Sequence, residues 1–280
     1  MKVGLNLLLW NGTITDQHVS VIEQLAEIGF DGVEFPVFSF DKAQSRRLRK
    51  HLDRLKLGCT VTSCVTPAAN PISEDAAIRK AALKHMKDTI DIADILGAET
   101  IAGPFTAPVG IYVRRRRTED EWKWGLDVMR KVAVAAEKTG VTLALEALNR
   151  FETHFINLGA DAYQFAKEVD HPNFAIMWDT FHANIEEENI VKAMKAVGDK
   201  IAHVHISENH RGIPGTGHIR FGEVFKCLKE IRYDSWLTVE AFGSALPELA
   251  GATCIWRDLF GDSFDLAKRS LAFIKKQWGA

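Results

Sequence analysis

Cysteine is sparse in this 280-residue chain, and the four present, Cys59, Cys64, Cys227 and Cys254, include no CxxC pair. Neither a zinc knuckle nor a disulfide framework is indicated, and the thiols are expected to be reduced. An excess of charge is lacking too: 35 lysines and arginines meet 37 aspartates and glutamates, a formal net charge of -2. That balance gives no reason to bind a nucleic acid or an anionic membrane, and a neutral partner fits better. No apolar run approaches the roughly 20 residues that cross a bilayer. The opening MKVGLNLLLWNG reads as a first strand entering a loop, not as a secretory leader, so a cytoplasmic location is expected. A glycine-rich phosphate turn is missing after that strand, since LLLWNGT is not one. This weighs against an open doubly wound sheet.

What is present is alternation. The runs VGLNLLLW, GVEFPV, CTVTSC, TIAGPF, TLALEAL, FAIMWDT, IAHVHIS and WLTVEAF read as strands. Between them lie helical stretches such as DQHVSVIEQLAEIG and AAIRKAALKHMKDTIDIADILG, closed by glycine in the manner of a helix C-cap. Eight strands with eight helices make an α/β chain of the TIM (β/α)8 barrel class, expected as a single domain over residues 1–280. The long connection 241–257, AFGSALPELAGATCIWR, is expected to line a substrate pocket or a subunit contact.

Alternate residues of a barrel strand face the interior, and active sites gather at the C-terminal rim. In LALEAL this sets Ala144 and Glu146 on the inner face and Leu143, Leu145 and Ala147 toward the helices. The next strand ends in Asp179, the following one carries His205, and the last carries Glu240. Singly, each has a plain explanation as a solvated rim residue or half of an ion pair. Together, three carboxylates and an imidazole on adjacent strands would repel one another without a cation. Three oxygen donors with one nitrogen favour Mn²⁺ or Mg²⁺, with Co²⁺ also admitted. His203, one layer deeper, is read as a core residue.

The stretches LEALNRFETHFIN, MWDTFHANIEE, HVHISENHRGIPGTGHI, LTVEAF and IWRDL resemble the ketose 3-epimerases typified by D-tagatose 3-epimerase, within the xylose-isomerase-like barrel superfamily. The resemblance spans roughly the second half of the chain. It implies metal-dependent epimerisation at C3 of a free ketohexose or ketopentose, by proton abstraction and return through an enediolate. It further implies that Glu146, Asp179, His205 and Glu240 bind the metal, that Glu146 and Glu240 are the acid/base pair, and that Glu152, His182 and Arg211 hold the sugar oxygens at the C1–C3 end. Each of the last three has a rival reading: Glu152 as the partner of Arg150, His182 as a helix cap, and Arg211 as a brace for a glycine-rich loop. A homo-oligomer, dimer or tetramer, is expected.

The run Arg114 to Arg117 follows strand four. It reads as a solvated loop or an oligomer contact, with a phosphate site as the sharper alternative. The competing functions are an aldose–ketose isomerase, a sugar dehydratase, a ketose-phosphate 3-epimerase, a non-catalytic sugar-binding protein, and a DNA-repair endonuclease on the same barrel. The last needs a basic face, which the net charge argues against.

Overall fold

The computed structural model describes residues 1–279. Its eight strands are β1 (Lys2–Asn6), β2 (Gly32–Pro36), β3 (Gly58–Thr62), β4 (Thr100–Gly103), β5 (Thr142–Glu146), β6 (Phe174–Asp179), β7 (Ile201–Ile206) and β8 (Trp236–Val239). All pair in parallel in chain order, and β8 returns to β1, closing the sheet. The helices are α1 (Val19–Ile28), α2 (Lys42–Leu55), α3 (Ala76–Leu96), α4 (Glu119–Glu137), α5 (Gly159–Val169), α6 (Thr180–Glu186), α7 (Ile190–Val197), α8 (Phe221–Glu230), α9 (Pro247–Thr253) and α10 (Ser263–Trp278). This is the (β/α)8 barrel that the alternation predicts. None of these helices is long and apolar enough to cross a membrane.

The period of two sorts each strand between two environments. Leu143 and Leu145 of β5 join the large apolar core shared with the helices, while Ala144 packs with Ala102, Met177 and Ala202 in a small separate cluster. The base of the barrel is filled by Trp236, whose indole lies over Gly4, Gly32 and Gly58 on three strands. A Cβ on Gly32 would stand 2.5 Å from that ring and one on Gly58 2.7 Å, so no larger residue fits. Small residues on β1 to β3 thus admit one large side chain from β8. Higher up, the interior is polar.

Two expectations change in detail. The first strand stops at Asn6 rather than running on to Trp10, because the Asn6 side chain accepts a hydrogen bond from the Leu8 N–H at 2.9 Å and turns Leu7–Leu9 into a short 3₁₀ helix. Ten α-helices, not eight, occur among the described residues: β6 is followed by both α6 and α7, and the long connection after β8 contains α9, opened by Pro247 in its first turn.

Candidate active site

Glu146 is the last residue of β5 and Asp179 the last of β6, His205 is the penultimate residue of β7, and Glu240 follows β8 by one position. Parallel pairing brings these ends to one mouth, and all four side chains are buried. One donor atom each of Asp179, His205 and Glu240 lie within 4.8 Å of one another, and Glu146, Asp179 and His182 form a second such group. Asp179 belongs to both. His205 Nδ1 stands 3.3 Å from Glu240 Oε1 and 3.6 Å from Asp179 Oδ2, yet neither contact has the geometry of a hydrogen bond. Asp179 Oδ2 and His205 Nδ1 are therefore buried without a partner. The other Asp179 oxygen caps α6, accepting from Phe181 N–H at 2.6 Å and His182 N–H at 3.4 Å.

The electrostatics match this crowding. Burial pushes the Glu146 carboxyl well above the usual carboxylate range, and the charges of Asp179 and Glu240 push the same way. Burial also raises Glu240, but the positive charges of His205 and Arg211 outweigh it and hold the group below its ordinary value. Unpartnered, buried carboxylate and imidazole atoms facing a common point fit a hard divalent cation, which would replace the proton on His205 Nδ1. Glu146, Asp179, His205 and Glu240 could hold one.

The three residues expected to meet the sugar gather beside this cluster. Burial holds His182 down at about 3, so its ring is neutral. Its Nδ1 accepts from the Asn149 N–H at 3.0 Å, and its Nε2 lies 3.5 Å from Glu146 Oε1. Glu152 accepts from Asn149 Nδ2 at 2.8 Å and faces Arg211 Nη2 at 3.8 Å. It does not pair with Arg150, which instead grips Glu186. Arg211 points inward from a left-handed backbone position, φ 62°. Its guanidinium bonds Glu240 and stacks on Phe181 at 3.9 Å. Glu208, fully buried and bonded to the backbone N–H groups of Asn209, Gly215 and Ile219, shapes the loop that presents it.

Known proteins share this plan. Residues 22–277 match the family model described as xylose isomerase-like TIM barrel. The L-ribulose 3-epimerase of Mesorhizobium japonicum is 32% identical over 98% of this chain and 93% of its own length. The ketose 3-epimerase of Arthrobacter globiformis is 32% identical over 98% and 96%. Among solved structures, the D-allulose 3-epimerase from Methylomonas sp. in complex with D-allulose superposes with a TM-score of 0.93 at 31% identity, covering 99% of this chain and 97% of that one. The chain belongs to the xylose isomerase-like TIM barrel family, in its ketose 3-epimerase branch.

This ketose 3-epimerase relative also contains site residues beyond those expected from its sequence. Glu34, in the middle of β2, is fully buried with its carboxylate 2.7 Å from His205 Nε2 and 2.8 Å from His203 Nε2. Asn6 Nδ2 donates to it at 2.9 Å and reaches Glu240 Oε1 at 3.4 Å. The signal was the one that exposed Glu146, a glutamate among apolar residues in a strand, here GVEFPV. Asn149 was likewise hidden inside LNRFET. Two of the four arginines after β4 serve the fold: Arg115 grips Glu121 through two hydrogen bonds of 2.9 and 2.8 Å, while Arg117 bonds Asp161 and lies over Trp122.

Proposed function

We propose that this epimerase-family chain inverts C3 of free ketoses in a metal-dependent reaction, with Glu146 and Glu240 as the proton-transfer pair. The observation that carries the reading is the pair of buried glutamates at one barrel mouth, beside unpartnered donor atoms of Asp179 and His205. Glu146, Asp179, His205 and Glu240 would hold the ion, with Mn²⁺ favoured and Mg²⁺ or Co²⁺ accepted. When bound, it would draw electron density from the C2 carbonyl and offset the negative charge that develops as the C3–H bond breaks. One glutamate takes that proton and the other returns one to the opposite face. Glu152, neutral His182 and Arg211 orient the oxygens at the C1–C3 end, so that the hydrogen to be removed faces a carboxylate.

Free rather than phosphorylated sugar is supported by the ketose epimerases the chain resembles and by the commitment of Arg115 and Arg117 to internal partners. We further propose one barrel domain over residues 1–280, a cytoplasmic location and a homo-oligomer. Exposed Tyr112 and Phe151, joined by a 2.7 Å hydrogen bond from the Tyr112 hydroxyl to the Phe151 carbonyl, are apolar surface that a second subunit would cover. The test is product analysis over a panel of free and phosphorylated ketoses, with Mn²⁺ and after chelation. C3 epimers of free sugars, formed only with metal, are expected. An aldose as the main product, turnover restricted to phosphorylated sugars, or full activity without metal would reject the reading.

A further inference from the structure

Glu34 is a charged residue in a layer of the barrel interior where apolar side chains are the norm. It meets His205 at Nε2, whereas Asp179 and Glu240 of the rim face Nδ1, and nothing in the proposed chemistry uses it. Its surroundings are nevertheless built for a carboxylate. In the sheet register Glu34 stands between Asn6 on β1 and Thr60 on β3. Both neighbours donate to it, Asn6 Nδ2 to Oε1 and Thr60 Oγ1 to Oε2, each at 2.9 Å. From across the barrel His205 Nε2 approaches Oε1 to 2.7 Å.

An imidazole has two nitrogens, and a hydrogen bond at one decides what the other can offer. A carboxylate only accepts, so the nitrogen facing Glu34 must carry a proton. His205 Nε2 is that nitrogen. Nδ1 is then the nitrogen left to face Glu240 and Asp179, where it has no hydrogen-bond partner and where a bound cation would take the place of its proton. The same network touches a second rim residue, since Asn6 Nδ2 also reaches Glu240 Oε1.

From this geometry we propose that Glu34 is the positioning residue for the metal centre: it sets His205 to bind the ion through Nδ1, and through Asn6 it steadies Glu240. The inference rests on the reading that the rim residues hold a divalent cation. Carboxylates that orient a ligating histidine contribute about 10–100-fold to metal affinity or activity, and Glu34 acts in that range. Its role is distinct from that of a buried polar residue that only stabilises the barrel, because such a residue would change the unfolding temperature of the metal-free protein and leave metal affinity alone.

Isothermal titration of Mn²⁺ into chelator-stripped wild type and Glu34→Gln separates these roles, with the unfolding temperature of each metal-free protein measured alongside. Glutamine keeps the shape and removes the charge. The expected result is a folded variant with Mn²⁺ affinity weakened about 10–100-fold. Equal affinity in the two proteins overturns the inference alone, whereas a wild type that binds no Mn²⁺ removes the metal reading and the inference with it. Should Glu34→Gln fail to fold, ¹⁵N NMR of wild type loaded with diamagnetic Mg²⁺ decides. A proton on His205 Nε2 is expected, and a proton on Nδ1 would overturn the assignment.

Discussion

Glu146 and Glu240 face the same small space from environments that push them in opposite directions. Glu146 is held toward its protonated form by burial and by two neighbouring carboxylates, while Glu240 is kept ionised by His205 and Arg211 against the effect of burial. That split belongs to the metal-free chain; a bound divalent cation would favour the carboxylate form of both groups, the form that ligation and proton abstraction require. Glu146→Gln and Glu240→Gln should each lower kcat about 10²–10⁴-fold, the contribution of a positioned proton-transfer group. Each single variant that still binds metal should retain solvent exchange from one epimer while losing net inversion. Steady-state rates for both epimers with isotope wash-in check this, and a variant with near wild-type inversion would remove its glutamate from the pair. Glu146 was legible because a charged residue in an apolar strand has to be accounted for. Glu34 carried the same mark, but its meaning depends on His205, 171 residues away, which only closure of the barrel brings near.

At the scale of elements, the loop from β4 into α4 changes the reading of the arginine run. Thr118 and Glu121 form a capping box, in which Glu121 accepts from the Thr118 N–H at 2.7 Å and Thr118 Oγ1 accepts from the Glu121 N–H at 3.1 Å. Burial raises the Glu121 carboxyl, but the hydrogen bonds from Arg115, the Thr118 backbone and His154 outweigh it and hold the group at about 2. A carboxyl depressed from its ordinary 4.5 contributes stability that is complete above about pH 4.5 and is lost as the pH falls toward 2. Glu121→Gln keeps the cap and removes the charge. It should cost on the order of 1 kcal/mol at neutral pH, a discounted figure because about half of the Arg115 side chain meets water. The gap to wild type should close between pH 4.5 and 2; a gap constant across that window in thermal melts would contradict the ion pair. The capping box is written in the sequence as Thr-Glu-Asp-Glu, residues 118–121. The grip of Arg115 is not, since four adjacent arginines look alike until the loop folds. Helix α9 was hidden for a related reason: glycine, alanine and a proline in ALPELAGAT read as loop, and only Pro247 at its start marks the helix.

Across the whole molecule, the strands repeat one plan: apolar residues toward the helices, mostly small or polar ones toward the axis apart from Trp236 at the base and Met177, and the candidate chemistry at the C-terminal ends. That plan could be read from alternation alone, and it led to the last four strand ends because each carries a charged or ligating side chain where an apolar one would cost less. What alternation could not reveal is the depth of the polar interior. Asn6, Glu34 and Thr60 are register neighbours on β1 to β3, and His205 of β7 reaches them only when β8 pairs with β1 and closes the barrel. The central claim is that the two glutamates at this mouth exchange the proton on C3. Incubating enzyme, Mn²⁺ and a free ketose in deuterated water, then locating the label by NMR, tests it directly. Deuterium should enter C3 of both recovered sugar and product, with little at C1. Label confined to C1, with an aldose accumulating, would contradict the account.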